Sequence, residues 1–131
     1  MPVAYACSSD SDLESLVDSA RRASAGESFV VLLDDKESVV DRLMPAYLNA
    51  YVRHGEKRMR AGSLQMELML FLAGTFMISD AISEYGAKDI KDFILASSSD
   101  ELARRYARKN RIVLRKRCRL RFGPEYMPPI E

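Results

Sequence analysis

The sequence predicts an α/β domain with a sheet of about four strands covered by helices. The length of 131 residues suits a single domain, three short apolar runs are bounded by polar residues, and apolar residues recur at helical spacing between these runs. Continuous apolar runs are typical of strands that are covered on both faces. We therefore expect residues 1–131 to form one domain in which helices cover the sheet.

The first strand is predicted in the run VAYAC, and a helix follows it. Ser11 stands three residues before Glu14, which is the spacing of a capping box, so the helix is expected to begin there and to continue through SARRAS. The run SFVVLLD is continuously apolar between polar ends. It predicts a second strand.

A long helix is predicted over residues 36–53, with His54 and Gly55 at its end. Pro45 lies inside this stretch and has no backbone N–H, so either the helix is kinked there or a second segment opens at Pro45. His54 is the only histidine of the chain. We expect it to interact with the last carbonyls of the helix rather than to act in catalysis.

The most apolar helix is predicted over Ser63–Ala73, with Gln65 and Glu67 as the polar residues of its body. Such a helix must be surrounded by protein on most sides. Gly74 can end it in the left-handed conformation, and Thr75 can start another helix. The apolar stripe of that next helix consists of Ile78, Ala81, Ile82 and Tyr85, with Gly86 at its end.

The last part of the chain predicts a strand in DFILAS, a helix and a final strand. Ser98 and Glu101 have capping-box spacing, and the helix that follows, through Asn110, has one apolar side. The segment RIVLRKRCRLRF alternates apolar residues with cations, which is typical of a strand with one solvated face. The pattern leaves the order and direction of the four strands open.

Charge is distributed unevenly, although the net charge is only +1. The first 35 residues carry seven acidic and two basic side chains, whereas residues 104–121 carry ten basic and no acidic ones. The second segment is either a solvated face or a patch that attracts phosphate, and the sequence leaves both interpretations open.

Several functional classes lack their signatures. Cys7 and Cys118 have no metal-ligand spacing, which favours a reducing compartment over a disulfide scaffold.

The N-terminus has no signal-peptide pattern and no apolar run approaches the roughly 20 residues of a membrane span, so we expect a cytoplasmic protein. Leu33–Asp35 is expected to cap a helix rather than to ligate a cation. Because no nucleophile, base or glycine-rich phosphate motif is apparent, we expect no enzyme activity, cofactor or metal.

The most basic loop lies in the segment HGEKRMRAGS, which contains Lys57, Arg58 and Arg60. Phe76 and Met77 add apolar groups beyond the next helix. Cations together with aromatic side chains can hold an unpaired RNA strand by its phosphates and bases. The alternative is a surface loop beside core residues.

The stretch MELMLFLAGTFMISDAISEYGAKD, preceded by PAYLNAYVRHGEKRMRAGSLQ, resembles the characteristic segment of the kinase-binding subunit of the KEOPS complex. That family has a helix of the type E-L-L-L-Y-L-A-G followed by T-R-Q-I-x-x-A-I-x-x-x-G. Phe76 and Met77 stand where the family usually has arginine and glutamine. The matching residues are Glu67, Leu68, Leu70, Leu72, Ala73, Gly74, Thr75, Ile78, Ala81, Ile82 and Gly86.

The resemblance implies a non-catalytic subunit of the machinery for threonylcarbamoyladenosine modification of transfer RNA. Such a subunit docks on a small atypical kinase of the Bud type, meets other KEOPS subunits indirectly and helps to recruit transfer RNA through its 3′ CCA end. We expect the kinase contact to involve Thr75, Ile78 and Ile82. We expect the RNA contact to involve Lys57, Arg58, Arg60, Phe76 and Met77. The alternative is a stand-alone RNA-binding domain that uses its basic C-terminal segment.

Overall fold

Four antiparallel strands form one sheet in the computed structural model of the chain, which describes residues 1–55 and 63–121. The strands are β1 (Val3–Ser9), β2 (Val30–Asp34), β3 (Phe93–Ser97) and β4 (Ile112–Arg117). Their order is β2-β3-β1-β4, and every neighbouring pair runs antiparallel. The predicted α/β class is confirmed, and the strand order that the sequence left open is now defined.

Helices cover both faces of this sheet. The helices are α1 (Leu13–Ala23), α2 (Glu37–Gly55), α3 (Leu64–Ala73), α4 (Ile78–Tyr85) and α5 (Asp100–Lys109). Because side chains alternate along a strand, Phe93 and Leu95 of β3 pack with α1 and α5, whereas Ile94 and Ala96 pack with α2, α3 and α4. All five residues of β3 are buried, as its continuous apolar run predicts.

The β4 region contributes to both hydrophobic layers. Its pairing with β1 shifts register just after Ala6. Ile112 and Leu114 pack with the α1 and α5 layer, whereas Cys118 and Leu120, beyond the end of the strand, pack against the α2, α3 and α4 layer. A register shift of this kind changes the face to which later side chains point.

The starts of α1 and α5 lie one residue later than the capping boxes predict. Asp12 caps α1 by accepting a hydrogen bond from the Ser15 N–H at 3.1 Å, and Ser99 caps α5. The hydroxyl of Ser98 is engaged elsewhere, because it accepts a hydrogen bond from the Phe29 N–H at 3.0 Å. These two predicted cap positions were therefore wrong by one residue.

Pro45 lies inside α2, which continues as one helix from Glu37 to Gly55. Pro45 is buried, and its carbonyl accepts a hydrogen bond from the Asn49 side chain at 3.0 Å. A second segment that opens at Pro45 is therefore not formed. His54 and Gly55 are the last described residues of α2, and residues 56–62 lie outside the described part of the chain.

The apolar helix α3 is buried at eight of its ten positions, as predicted. Ser63 caps its start, and Gly74 ends it with φ 69°, in the left-handed region that glycine adopts without strain. The prediction that Thr75 starts α4 was wrong, because α4 begins at Ile78. The Thr75 hydroxyl instead accepts a hydrogen bond from the Met77 N–H at 3.2 Å, in the turn before the helix.

Among the described residues, no single helix has both the length and the apolar character to cross a membrane. The pair of α3 and α4 reaches that length and composition together, but the two helices are bent by 72° at the break between them.

Gly86 ends α4 at a point where the backbone approaches itself closely. Its N–H donates to the Ile82 carbonyl at 2.8 Å, and a Cβ at this position would lie 2.6 Å from that carbonyl oxygen. The next residue, Ala87, donates its N–H to the Leu32 carbonyl of the edge strand β2 at 3.2 Å. The end of α4 is thereby attached to the sheet.

We predict that Gly86→Ala lowers the free energy of unfolding by about 1–3 kcal/mol, because backbone must move to admit the new Cβ. Gly55→Ala is the matched control, since no described atom lies within 4 Å of a Cβ built there, and it should leave the stability unchanged or raise it by up to about 1 kcal/mol, because alanine favours a helix more than glycine does. Urea denaturation of both variants measures the difference. Equal stability of the two variants would contradict the packing argument.

Candidate interaction surfaces

Three large apolar side chains are exposed in α4 and in the turn before it. The relative accessibility of Phe76 is 44%, that of Met77 is 59% and that of Ile82 is 45%. We call these three residues the α4 apolar surface. Of the other two residues predicted to contact the kinase, Ile78 is half-buried and packs against the core, and Thr75 lies in the turn. The exposure of Phe76 excludes the alternative that it is a core residue.

The opposite face of α4 is held against α2. Tyr85 is buried, and its hydroxyl donates a hydrogen bond to the Ser38 hydroxyl at 3.2 Å and accepts one from Arg42 at 3.3 Å. Arg42 also donates to the Leu72 carbonyl of α3 at 3.3 Å. Ala81 is buried on the same side. These contacts fix the orientation of α4, so that Ile82 points away from the core.

The basic residues Lys57, Arg58 and Arg60 lie outside the described residues. Their neighbours in the chain do not: His54 at the end of α2 and Ser63 at the start of α3 line a common pocket of about 120 Å³. We call it the end pocket. The other polar side chains that line it belong to Ser24, Ser28 and Gln65.

Some polar groups of the end pocket have hydrogen-bond partners among the described residues, and one buried atom does not. The Ser63 hydroxyl accepts from the Met66 N–H at 3.2 Å, and the buried Gln65 amide donates to the Val30 carbonyl at 2.7 Å. The Nδ1 atom of His54 is buried and has no hydrogen-bond partner among the described residues, so the expected bond to a helix carbonyl is not formed by this atom. An unsatisfied buried group costs about 1–3 kcal/mol, which a bound polar group can recover.

The basic segment of residues 104–121 does not form one uniform patch. Four of its ten cations contact carboxylates of the described residues. These pairs are Arg104 with Asp100, Arg105 with Glu101, Arg115 with Asp92, and Arg121 with Asp41. The other six cations have no carboxylate contact in the described part of the chain, and they lie in α5, in β4 and in the residues that flank β4.

The acidic segment Leu33–Asp35 shows no capping contact with α2. Asp34 accepts from the N–H of its neighbour Asp35 at 3.1 Å and pairs with Lys88 at 3.5 Å. A hydrogen bond with Asp92 raises the pKa of the Asp35 carboxyl, and burial adds to the effect. Among the residues that the structure describes, no group of three or more histidine, cysteine, aspartate or glutamate side chains could hold a metal ion.

Comparison with known proteins does not identify these surfaces. No model of a known protein family matches the chain, and no curated protein shows significant similarity to it.

The end pocket was missed by the sequence analysis, because its residues come from three separate segments. The turn between α1 and β2 supplies Ser24, Gly26 and Ser28, and Gly26 has φ 59° in this turn. The run of small residues around Gly26 indicates a turn, but nothing local indicates which helix ends lie beside it.

Cys7 is fully buried in β1, and burial raises the pKa of its thiol to about 12. We predict that iodoacetamide at mildly alkaline pH leaves Cys7 of the native protein unmodified, because the thiolate is the reactive species and is scarcely populated. Peptide mass mapping after alkylation measures the modification, and a sample unfolded in guanidinium provides the control. Rapid modification of Cys7 in the native protein would contradict this description of β1.

Proposed function

We propose that the protein is a non-catalytic binding subunit of the KEOPS type, which docks a small atypical kinase of the Bud type and helps to present transfer RNA. The observation that carries the proposal is the exposed α4 apolar surface, which lies within the segment that resembles the family. Exposed apolar groups of this kind are typical of protein interaction sites.

The packing of α4 supports docking through a rigid surface. Tyr85 and Arg42 hold the helix from one side, and Ile82 is exposed to a partner. The helix is therefore already ordered before a partner binds. A surface that is ordered beforehand loses less conformational entropy when a partner binds.

We predict that Ile82→Glu weakens binding of the kinase at least tenfold, because it puts a charge into the apolar contact. Ile82 is about half exposed, so the variant should keep its melting temperature. Isothermal titration with the purified kinase measures the affinity, and Ser83→Glu, an exposed neighbour on the same helix, is the control. If the wild-type protein does not bind the kinase at micromolar concentration, the docking proposal is wrong.

We further propose that the protein binds unpaired RNA, with Lys57, Arg58 and Arg60 on phosphates and Phe76, together with Met77, on a terminal base. Lys57 follows His54 by three residues and Arg60 precedes Ser63 by three, so these cations are close in sequence to two residues of the end pocket. Exposed aromatic rings stack on bases of any sequence. The buried Nδ1 of His54 adds a polar atom that a nucleotide can satisfy.

We predict that two classes of variant respond differently to salt. Arg58→Ala or Arg60→Ala should weaken RNA binding and lower the salt slope by about 0.7–1 unit for each lost phosphate contact. Phe76→Ala should weaken binding by about 1–3 kcal/mol with the slope nearly unchanged. Fluorescence anisotropy over a series of salt concentrations measures both quantities.

Transfer RNA that lacks its CCA end is the control for the binding site. Equal affinity for trimmed and intact molecules would exclude the 3′ end as the ligand. It would instead favour the second candidate function, a stand-alone RNA-binding domain, which the uncompensated cations of residues 104–121 support.

A further inference from the structure

A cationic groove lies between α1 and α5, on the face of the sheet opposite to α3 and α4. Its volume is about 280 Å³. Arg22 of α1 and Arg105 and Lys109 of α5 contribute the charges. The apolar part of its lining consists of Ala23, Leu102 and Tyr106. No acidic side chain lines the groove.

The two helices that form the groove are firmly joined. The hydroxyl of Tyr106 in α5 donates to the Leu16 carbonyl of α1 at 2.5 Å, and the buried side of each helix packs into the same hydrophobic layer. Farther along, the Ser11 hydroxyl donates to the Asn110 carbonyl at 3.4 Å. The separation of the groove walls is therefore a fixed property of the fold.

The cations of the groove can bind a phosphate in place of the weak carboxylate contacts that two of them make. Arg22 pairs with Asp18, and Arg105 lies 3.7 Å from Glu101, but both pairs are exposed and contribute little to stability. Lys109 contacts no carboxylate in the described part of the chain. Arg105 and Lys109 stand four residues apart on one helix face, where two like charges repel each other. A bound phosphate relieves this repulsion.

The groove and the end pocket are neighbours. Ala23, the last residue of α1, lines the groove, and Ser24, the next residue, lines the end pocket. The Ser24 hydroxyl accepts from the Val30 N–H at 2.9 Å, which ties this junction to the sheet. The tight turn between Ala25 and Ser28, closed by two backbone hydrogen bonds of 2.9 Å, follows Ser24 and also lines the end pocket.

We propose that the groove between α1 and α5 binds phosphates of the same RNA strand whose 3′ end contacts Lys57, Arg58 and Arg60 in the proposed function. This inference rests on the proposed function. The strand passes over the turn at Gly26 and continues along Arg22, Arg105 and Lys109. Leu102 and Tyr106 of the apolar lining are buried, whereas the three cations are exposed, so the strand contacts the groove through its phosphates.

The carboxylate of Glu27 opposes this path and provides a sensitive test. Glu27 lies in the turn of residues 25–28 and is exposed, and it accepts a hydrogen bond from the Tyr51 hydroxyl at 2.9 Å. Glu27→Gln removes the negative charge but keeps an oxygen that can accept from Tyr51. This variant should bind a strand that crosses the turn several-fold more tightly than the wild type.

The experiment compares two single-stranded RNA probes, the trinucleotide CCA and a longer strand with the same 3′ end. Arg105→Gln combined with Lys109→Gln should reduce affinity for the longer strand several-fold and lower its salt slope by about 0.7 unit for each phosphate contact, with little effect on the trinucleotide. Lys88→Gln combined with Lys91→Gln is the matched control, since it removes two exposed, paired cations away from the groove.

The outcomes separate this inference from the proposed function. If the wild type binds both probes and the groove variant equals the control variant, the groove assignment is overturned and the proposed function stands. If the wild type binds neither probe, the proposed RNA contact fails and this inference falls with it. If the groove variant loses affinity for a polyglutamate peptide but not for RNA, the groove belongs to an acidic protein partner, which also overturns the assignment.

Discussion

The burial of β3 on both of its faces is the constraint on which the rest of the fold depends. Every side chain from Phe93 to Ser97 is buried, so the sheet needs helices on both sides. α1 and α5 supply one cover, and α2, α3 and α4 supply the other. This arrangement brings the C-terminal ends of α1 and α2 and the N-terminal end of α3 to one end of the sheet, where they form the end pocket.

A buried charge adds a second constraint between α2 and α3. The Glu67 carboxylate is almost fully buried, and its Oε2 lies 3.8 Å from Nε of Arg53, whose guanidinium also lies 5.1 Å from the centre of the Phe71 ring. Removing one partner of such a pair leaves a buried charge that is costly to accommodate. Polar and apolar contacts thus fix α3, and the break at Gly74 then sets where α4 can lie.

Features that depend on local chemistry could be predicted from the sequence. Continuous apolar runs marked β2 and β3, and Gly74 marked the end of α3. Helix starts were less predictable, because the hydroxyls of Ser98 and Thr75 find partners outside the helices they were expected to cap. The groove could not be predicted, since Arg22 and Lys109 meet only through the packing of two distant helices. The kinase and RNA contacts stay predictions.

The crossing of the β4 region from one hydrophobic layer to the other has a consequence for how the molecule unfolds. Ile112 and Leu114 belong to the layer of α1 and α5, whereas Cys118 and Leu120 belong to the layer of α2, α3 and α4. Because a few residues of continuous backbone join both layers, detaching this strand would admit water to both at once. The amide protons of the two layers should then exchange through a common opening, so that β4 couples two cores into one cooperative unit.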